Sequence, residues 1–165
     1  MSTDLHETPL PGVMVVRDVL QGTLGREVTV ATGGPMVDPG TGGGALVGVY
    51  VDRFLKLSAL MLFDFPLAAR AGAAIGLTPP VGADIAIEER DLPDSLLENA
   101  SEIFSIAISF FNTGGARHLS LDRCYAPGEA LPNDIAKWIF AHIRRVDLKV
   151  TIKGYGDGHL SVLVI

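Results

Sequence analysis

The stretch Asp94–Asn112, DSLLENASEIFSIAISFFN, constrains this chain more than any other. Wound as an α-helix it turns about 100° per residue. With Glu98 at the origin, Ser101, Glu102, Ser105, Ser109 and Asn112 fall within roughly 60° of it, and Asp94 joins them. Leu96, Ala100, Ile103, Ala107 and Phe110 occupy the opposite side. Leu97, Phe104, Ile108 and Phe111 fill one flank, and Ile106 lies on the other. Such a helix is expected to be buried over most of its circumference, with a narrow polar seam about five turns long. A helix that needs only solubility carries a broad, lysine-rich outer face. This seam holds carboxylates, hydroxyls and an amide, with no basic residue. It reads as a surface meant to meet something. The competing reading is that Ser101, Ser105 and Ser109 are simply small enough to let another element approach, and that Glu98 and Glu102 are solvated charges.

The remaining pattern supplies a sheet for this helix to cover. Residues 1–11 read as a flexible leader, and 12–165 as a single domain. Val13, Val16, Leu20 and Leu24 recur at helical spacing, so 13–25 is a first helix. Glu27–Ala31 alternates as a strand. Gly33–Gly44 holds six glycines and two prolines but lacks the Gly-Lys-Ser/Thr ending of a phosphate loop. It reads as a mobile hairpin connection. Leu46–Arg53 and Lys56–Phe65 are strand-like, and the second is apolar on both alternating faces, as a central strand would be. Pro66–Gly76 suits a helix with proline in its first turn. Residues 77–90 read as a connection, with a short extended piece at Ile85–Ile87. Asp91 is a plausible cap for the principal helix, with Pro93 and Asp94 in its first turn. Leu119, Leu121 and Tyr125 line a strand. Leu131–His142 is ambiguous; Ile135, Trp138 and Ile139 suit a short helix with Pro132 at its start. Val146–Lys153 and His159–Ile165 flank GYGDG, where Asp157–Gly158 is a hairpin signal. The terminal apolar strand belongs within the sheet or at a protein contact. The order implies an α+β domain: an antiparallel or mixed sheet with helices packed on one face.

Composition excludes several functions. Of the 165 residues 48% are apolar, so a large core is available. A net charge of −6 and a pI near 5.1 argue against nonspecific nucleic-acid binding. The lone Cys124 excludes an internal disulfide and any multi-cysteine metal site, and reads as a buried, inert thiol. The four histidines are scattered, with no zinc spacing, and no Gly-x-Ser-x-Gly elbow occurs. No apolar run is long enough for a membrane span, the start is unlike a signal peptide, and a cytoplasmic protein follows by default.

The order of elements resembles the CheC/CheX family of chemotaxis proteins over most of the chain. In that family a long central helix carries Glu-x-x-Asn, often with a small residue four positions later. The matching segment here is Glu102-Ile103-Phe104-Ser105, with Ser109 at the small position. Val13–Glu27, with Leu24-Gly25 before the strand, is similar to the family's first helix and its exit. Cys124–Glu129, CYAPGE, is similar to its strand and Pro-Gly turn.

The resemblance implies a protein that docks a CheY-type receiver domain and hydrolyses its phosphoaspartate. Glu102 would hold the partner and Ser105 would face the phosphoryl group, with Glu98, Ser101 and Ser109 completing the contact. No cofactor is implied for this chain, since Mg2+ would be carried by the receiver. The family's asparagine is replaced by Ser105, which has one hydroxyl close to the backbone in place of an amide with donors and an acceptor. A noncatalytic scaffold in signalling or motility, with a possible homodimer, is therefore the alternative. Asp18 and Gln21 on the first helix could form a second acid–amide site, but an exposed pair on an amphipathic helix is the simpler reading.

Overall fold

The computed structural model describes residues 7–165; residues 1–6, most of the expected leader, lie outside the described residues. Thr8 and Pro11 are buried, and the Thr8 carbonyl accepts a hydrogen bond from Arg144. The elements are α1 (Val13–Leu24), β1 (Val28–Thr32), β2 (Ala45–Val51), β3 (Leu57–Asp64), α2 (Phe65–Ile75), α3 (Pro80–Glu89) and α4 (Asp94–Ile106). A 3-10 turn (Ala107–Phe110) continues α4, followed by β4 (Ser120–Tyr125), α5 (Asn133–Ala136), β5 (Arg144–Ile152) and β6 (Gly156–Val164).

One six-stranded sheet runs in the order β1-β5-β6-β3-β2-β4, and every neighbouring pair is antiparallel. The expected α+β class is therefore observed. β3 sits in the interior and is buried on both faces, as its unbroken apolar run requires. β6 also lies inside the sheet, between β5 and β3, so the apolar terminal strand is explained by sheet pairing.

Alternation along the strands divides the core in two. Leu46, Tyr50, Met61, Phe63, Leu148, Val150, Leu160 and Val162 face α1, α2 and α4. Val47, Val49, Val51, Leu60, Leu62 and Leu163 face the other way and are covered by Val37, Ile135 and Ile139, with Trp138 packed beside them. α2, not α4, is the helix enclosed on most sides: Leu67, Ala68 and Ala71 meet the sheet, while Ala69 and Ala73 meet α3 and Leu96 of α4. Asp64 caps it, accepting the Leu67 N–H at 3.0 Å.

Four local expectations are corrected. The Gly33–Gly44 segment is no hairpin, because β1 and β2 are not neighbours. It straps across the sheet, held by the Gly34 N–H on the Asp147 carbonyl and the Val37 N–H on the Ser161 hydroxyl. Ser161 in turn donates to Asp147, whose carboxylate takes both arms of Arg145. Residues 80–89 form a helix, with Pro80 at its start. Its fully buried positions are Ala83 and Ala86, with Ile87 half-buried beside them, too little to register as an apolar stripe. Asp91 caps nothing; α4 begins at Asp94, with Pro93 before it and no side-chain cap. The β5–β6 turn is Lys153–Tyr155, and Asp157 and Gly158 are paired strand residues. Gly158 is required by proximity, since a Cβ there would stand 2.5–2.8 Å from Leu67 Cβ, Cα and N.

Candidate functional site

α4 lies over β2 and β4 with Phe104 as its anchor. The ring fills the space a side chain at Gly48 would need: a Cβ there would meet Phe104 at 2.3 Å. Phe104 also stacks, tilted, on Phe63 with centroids 4.7 Å apart. On its other flank α4 presses against α2 so closely that a Cβ at Gly72 would stand 2.3 Å from the Leu96 carbonyl oxygen. These two contacts fix the rotation of the helix about its axis.

With that rotation set, Glu98, Glu102, Ser105 and Ser109 are exposed. Neither glutamate forms an ion pair with any described residue. Ser101 is half-buried, and its hydroxyl donates to the Leu97 carbonyl at 2.8 Å. It sits against Cys124, whose thiol burial pushes up to about 11. That thiol is no nucleophile at neutral pH. Ile106, one turn beyond Glu102, is exposed and adds an apolar contact beside the acids.

The seam is shorter than the sequence suggests. At Ala107 the α-helix tightens to a 3-10 turn, which advances about 120° per residue. Ser109 stays exposed but leaves the straight line of Glu98, Glu102 and Ser105, and Asn112 is committed elsewhere. The Asn112 amide accepts the Leu119 N–H at 2.8 Å and donates to the Leu119 carbonyl at 2.9 Å. Asn99 likewise donates to the Gly72 carbonyl at 3.1 Å. Both amides of the α4 region thus hold structure together, and the exposed line contains carboxylates and hydroxyls only.

The second acid–amide pair also resolves structurally. The Gln21 side chain accepts the Val28 N–H at 3.2 Å, closing the α1–β1 junction, and Asp18 pairs with Arg17.

Two features had no sequence signal because their parts are far apart in the chain. Asp64 and His159 meet at 3.0 Å beside a cavity of about 460 Å3 lined also by Arg90 and the glycine-rich strap. A concavity of about 580 Å3 at the β2–β3 turn gathers Arg53, Lys56, Arg117 and His118. Among the described residues no group of three or more His, Cys, Asp or Glu side chains converges as metal ligands would. No helix among them is long and apolar enough to cross a membrane.

No protein-family profile and no curated protein matches this sequence. Solved structures do. The chain is similar to one in the FliM–SpeE complex from H. pylori, at 10% identity and TM-score 0.58, covering 92% of this chain and 80% of that one. It is similar to one in the FliG–FliM complex from H. pylori, at 11% identity and TM-score 0.53, covering 92% and 85%. It is also similar to one in the CheX–CheY–BeF3–Mg2+ complex from Borrelia burgdorferi, at 10% identity and TM-score 0.50, covering 89% and 90%. The chain has the fold of these CheX- and FliM-type structures.

Proposed function

We propose that this chain, built on the CheC/CheX/FliM fold, docks a CheY-like receiver domain through Glu98, Glu102 and Ser105 of α4. The observation that carries the reading is the exposed line of acids and hydroxyl, its acids unpaired among the described residues, on a helix whose rotation is locked by Phe104 and Leu96. A CheX chain of the same fold is found in a complex with CheY. Glu102 would engage a basic group of the receiver, and Ile106 would pack beside it. Any Mg2+ would be the receiver's.

Efficient hydrolysis is not part of the proposal. Aligning water for attack on a phosphoaspartate calls for a group with both acceptor and donor capacity at the right reach. Ser105 is short, and Asn99 and Asn112 are tied to backbone groups. A misplacement near 1 Å costs about a hundredfold in rate. That commitment of both amides favours the reading of a noncatalytic docking or scaffold protein in signalling or motility, which the FliM-type neighbours also suit.

Binding to a phosphorylated CheY-like protein tests the first statement, and phosphate loss with and without the chain tests the second. Binding that falls on Glu102→Ala, with unchanged phosphate decay, is the expected result. No binding at all sinks the docking reading. Fast decay that depends on Ser105 sinks the noncatalytic one.

A further inference from the structure

The β2–β3 hairpin ends in a tight turn held by its own hydrogen bonds. The Leu55 N–H donates to the Asp52 carbonyl at 2.9 Å, and the Asp52 N–H to the Lys56 carbonyl at 3.0 Å. The buried Asp52 carboxylate accepts the backbone N–H groups of Phe54 at 2.8 Å and Lys56 at 3.0 Å. Leu55 is held at φ 62°, a left-handed position that usually falls to glycine or asparagine. A strained leucine points to a use for its side chain. The outcome is that Phe54 and Leu55, 74% and 76% exposed, stand adjacent at the tip.

The charges around this tip are nearly all of one sign. Arg53, Lys56, Arg117 and His118 line the 580 Å3 concavity together with Phe54. A second concavity, of about 340 Å3, shares Lys56 and Arg117 and adds Arg144. Among the described residues Glu7 is the one exposed acidic side chain lining either, because the Asp52 charge is spent on the turn itself and on Arg117. Four of the thirteen lysines and arginines thus gather at one end of a chain with net charge −6.

We propose that this tip is a peripheral membrane-docking element for an anionic phospholipid bilayer. Phe54 and Leu55 enter the boundary between headgroups and acyl chains, while Arg53, Lys56, Arg117 and Arg144 meet the lipid phosphates. Shape favours a bilayer over an acidic protein. A stable protein interface needs a broad matched patch, about 800 Å2 from each partner. Two adjacent side chains at the end of a hairpin supply no such patch, but a fluid apolar phase closes around an isolated wedge. The proposal is independent of the α4 surface.

Co-sedimentation of the full chain with vesicles tests it. Binding is expected to vesicles of equimolar phosphatidylcholine and phosphatidylserine, not to phosphatidylcholine alone, and is expected to weaken with added salt. Phe54→Ser combined with Leu55→Gly lowers the affinity by roughly tenfold or more. Arg53→Gln with Lys56→Gln also lowers it. Leu55→Gly alone keeps the melting temperature or raises it, since glycine is at ease at φ 62°, so lost binding in that variant is not lost folding. A chain that stays in the supernatant with phosphatidylserine vesicles overturns the proposal. So does binding indifferent to Phe54 and Leu55. Capture by soluble polyglutamate through the same two residues, without vesicle binding, also overturns it and assigns the tip to an acidic protein.

Discussion

The Tyr50 hydroxyl donates a 2.7 Å hydrogen bond to the carbonyl of Phe104, joining β2 to α4 just before the helix tightens into its 3-10 turn. Both groups are buried, so neither has water as a substitute. Burial, with a smaller contribution from Cys124, pushes the Tyr50 phenol well above its ordinary range. Tyr50→Phe should therefore destabilise the fold by about 1–2 kcal/mol, lowering Tm by about 3–6 °C. The sign of the pH dependence follows from the raised phenol. The stabilisation is complete below the unfolded tyrosine pKa, about 10, and is lost as pH rises above it. Thermal melts of both proteins from neutral to strongly alkaline pH should show their difference shrinking.

Glycines at two positions should respond in opposite directions. Gly72→Ala drives a Cβ to 2.3 Å from the Leu96 carbonyl oxygen, and both are backbone-borne, so the helices must separate. A loss of about 3 kcal/mol or more is expected. Gly22 lies within α1 with open space around it. Gly22→Ala should raise stability by about 0.5–1 kcal/mol. Urea denaturation of the two variants checks both signs.

Asp52 couples the hairpin turn to acid stability. The Lys56 backbone N–H, against the effect of burial and with help from the Phe54 N–H and Arg117, holds its carboxyl below the usual range. A depressed carboxyl contributes stability above its unfolded pKa, about 3.9, and loses it as pH falls further. Asp52→Asn should lower Tm at neutral pH, and the gap to the parent should close in the acid region. Melting curves across that interval provide the check.

The α4 surface predicts a distinct pattern for partner binding. Glu102→Lys reverses the charge and should weaken binding to a CheY-like receiver by about tenfold or more at low salt, without a change in Tm, because Glu102 makes no ion pair with any described residue. Ser105→Asn restores an amide at the exposed line. It should leave binding intact and speed phosphate loss from the partner. Calorimetric titration and a phosphate-release assay separate the two effects.

Local periodicity alone determined much of this protein. The 3.6-residue spacing of Val13, Val16, Leu20 and Leu24 specifies α1, and the unbroken apolar run Leu57–Phe63 specifies a central strand, because helix faces and strand faces are properties of the chain itself. The acid–hydroxyl line Glu98, Glu102 and Ser105 was legible for the same reason. Tertiary contacts decided the rest. Asp157–Gly158 has the form of a turn, yet Gly158 exists to admit the backbone of Leu67. α3 gave no stripe because alanine suffices where helices approach closely. Asn99 and Asn112 look available until their amides are seen bonded to Gly72 and Leu119. The charged tip assembles Arg53, Lys56, Arg117 and Arg144 from three separate segments. Which neighbour consumes a polar group, and which charges share one end of a sheet, depend on distances across the fold that spacing along the chain does not encode.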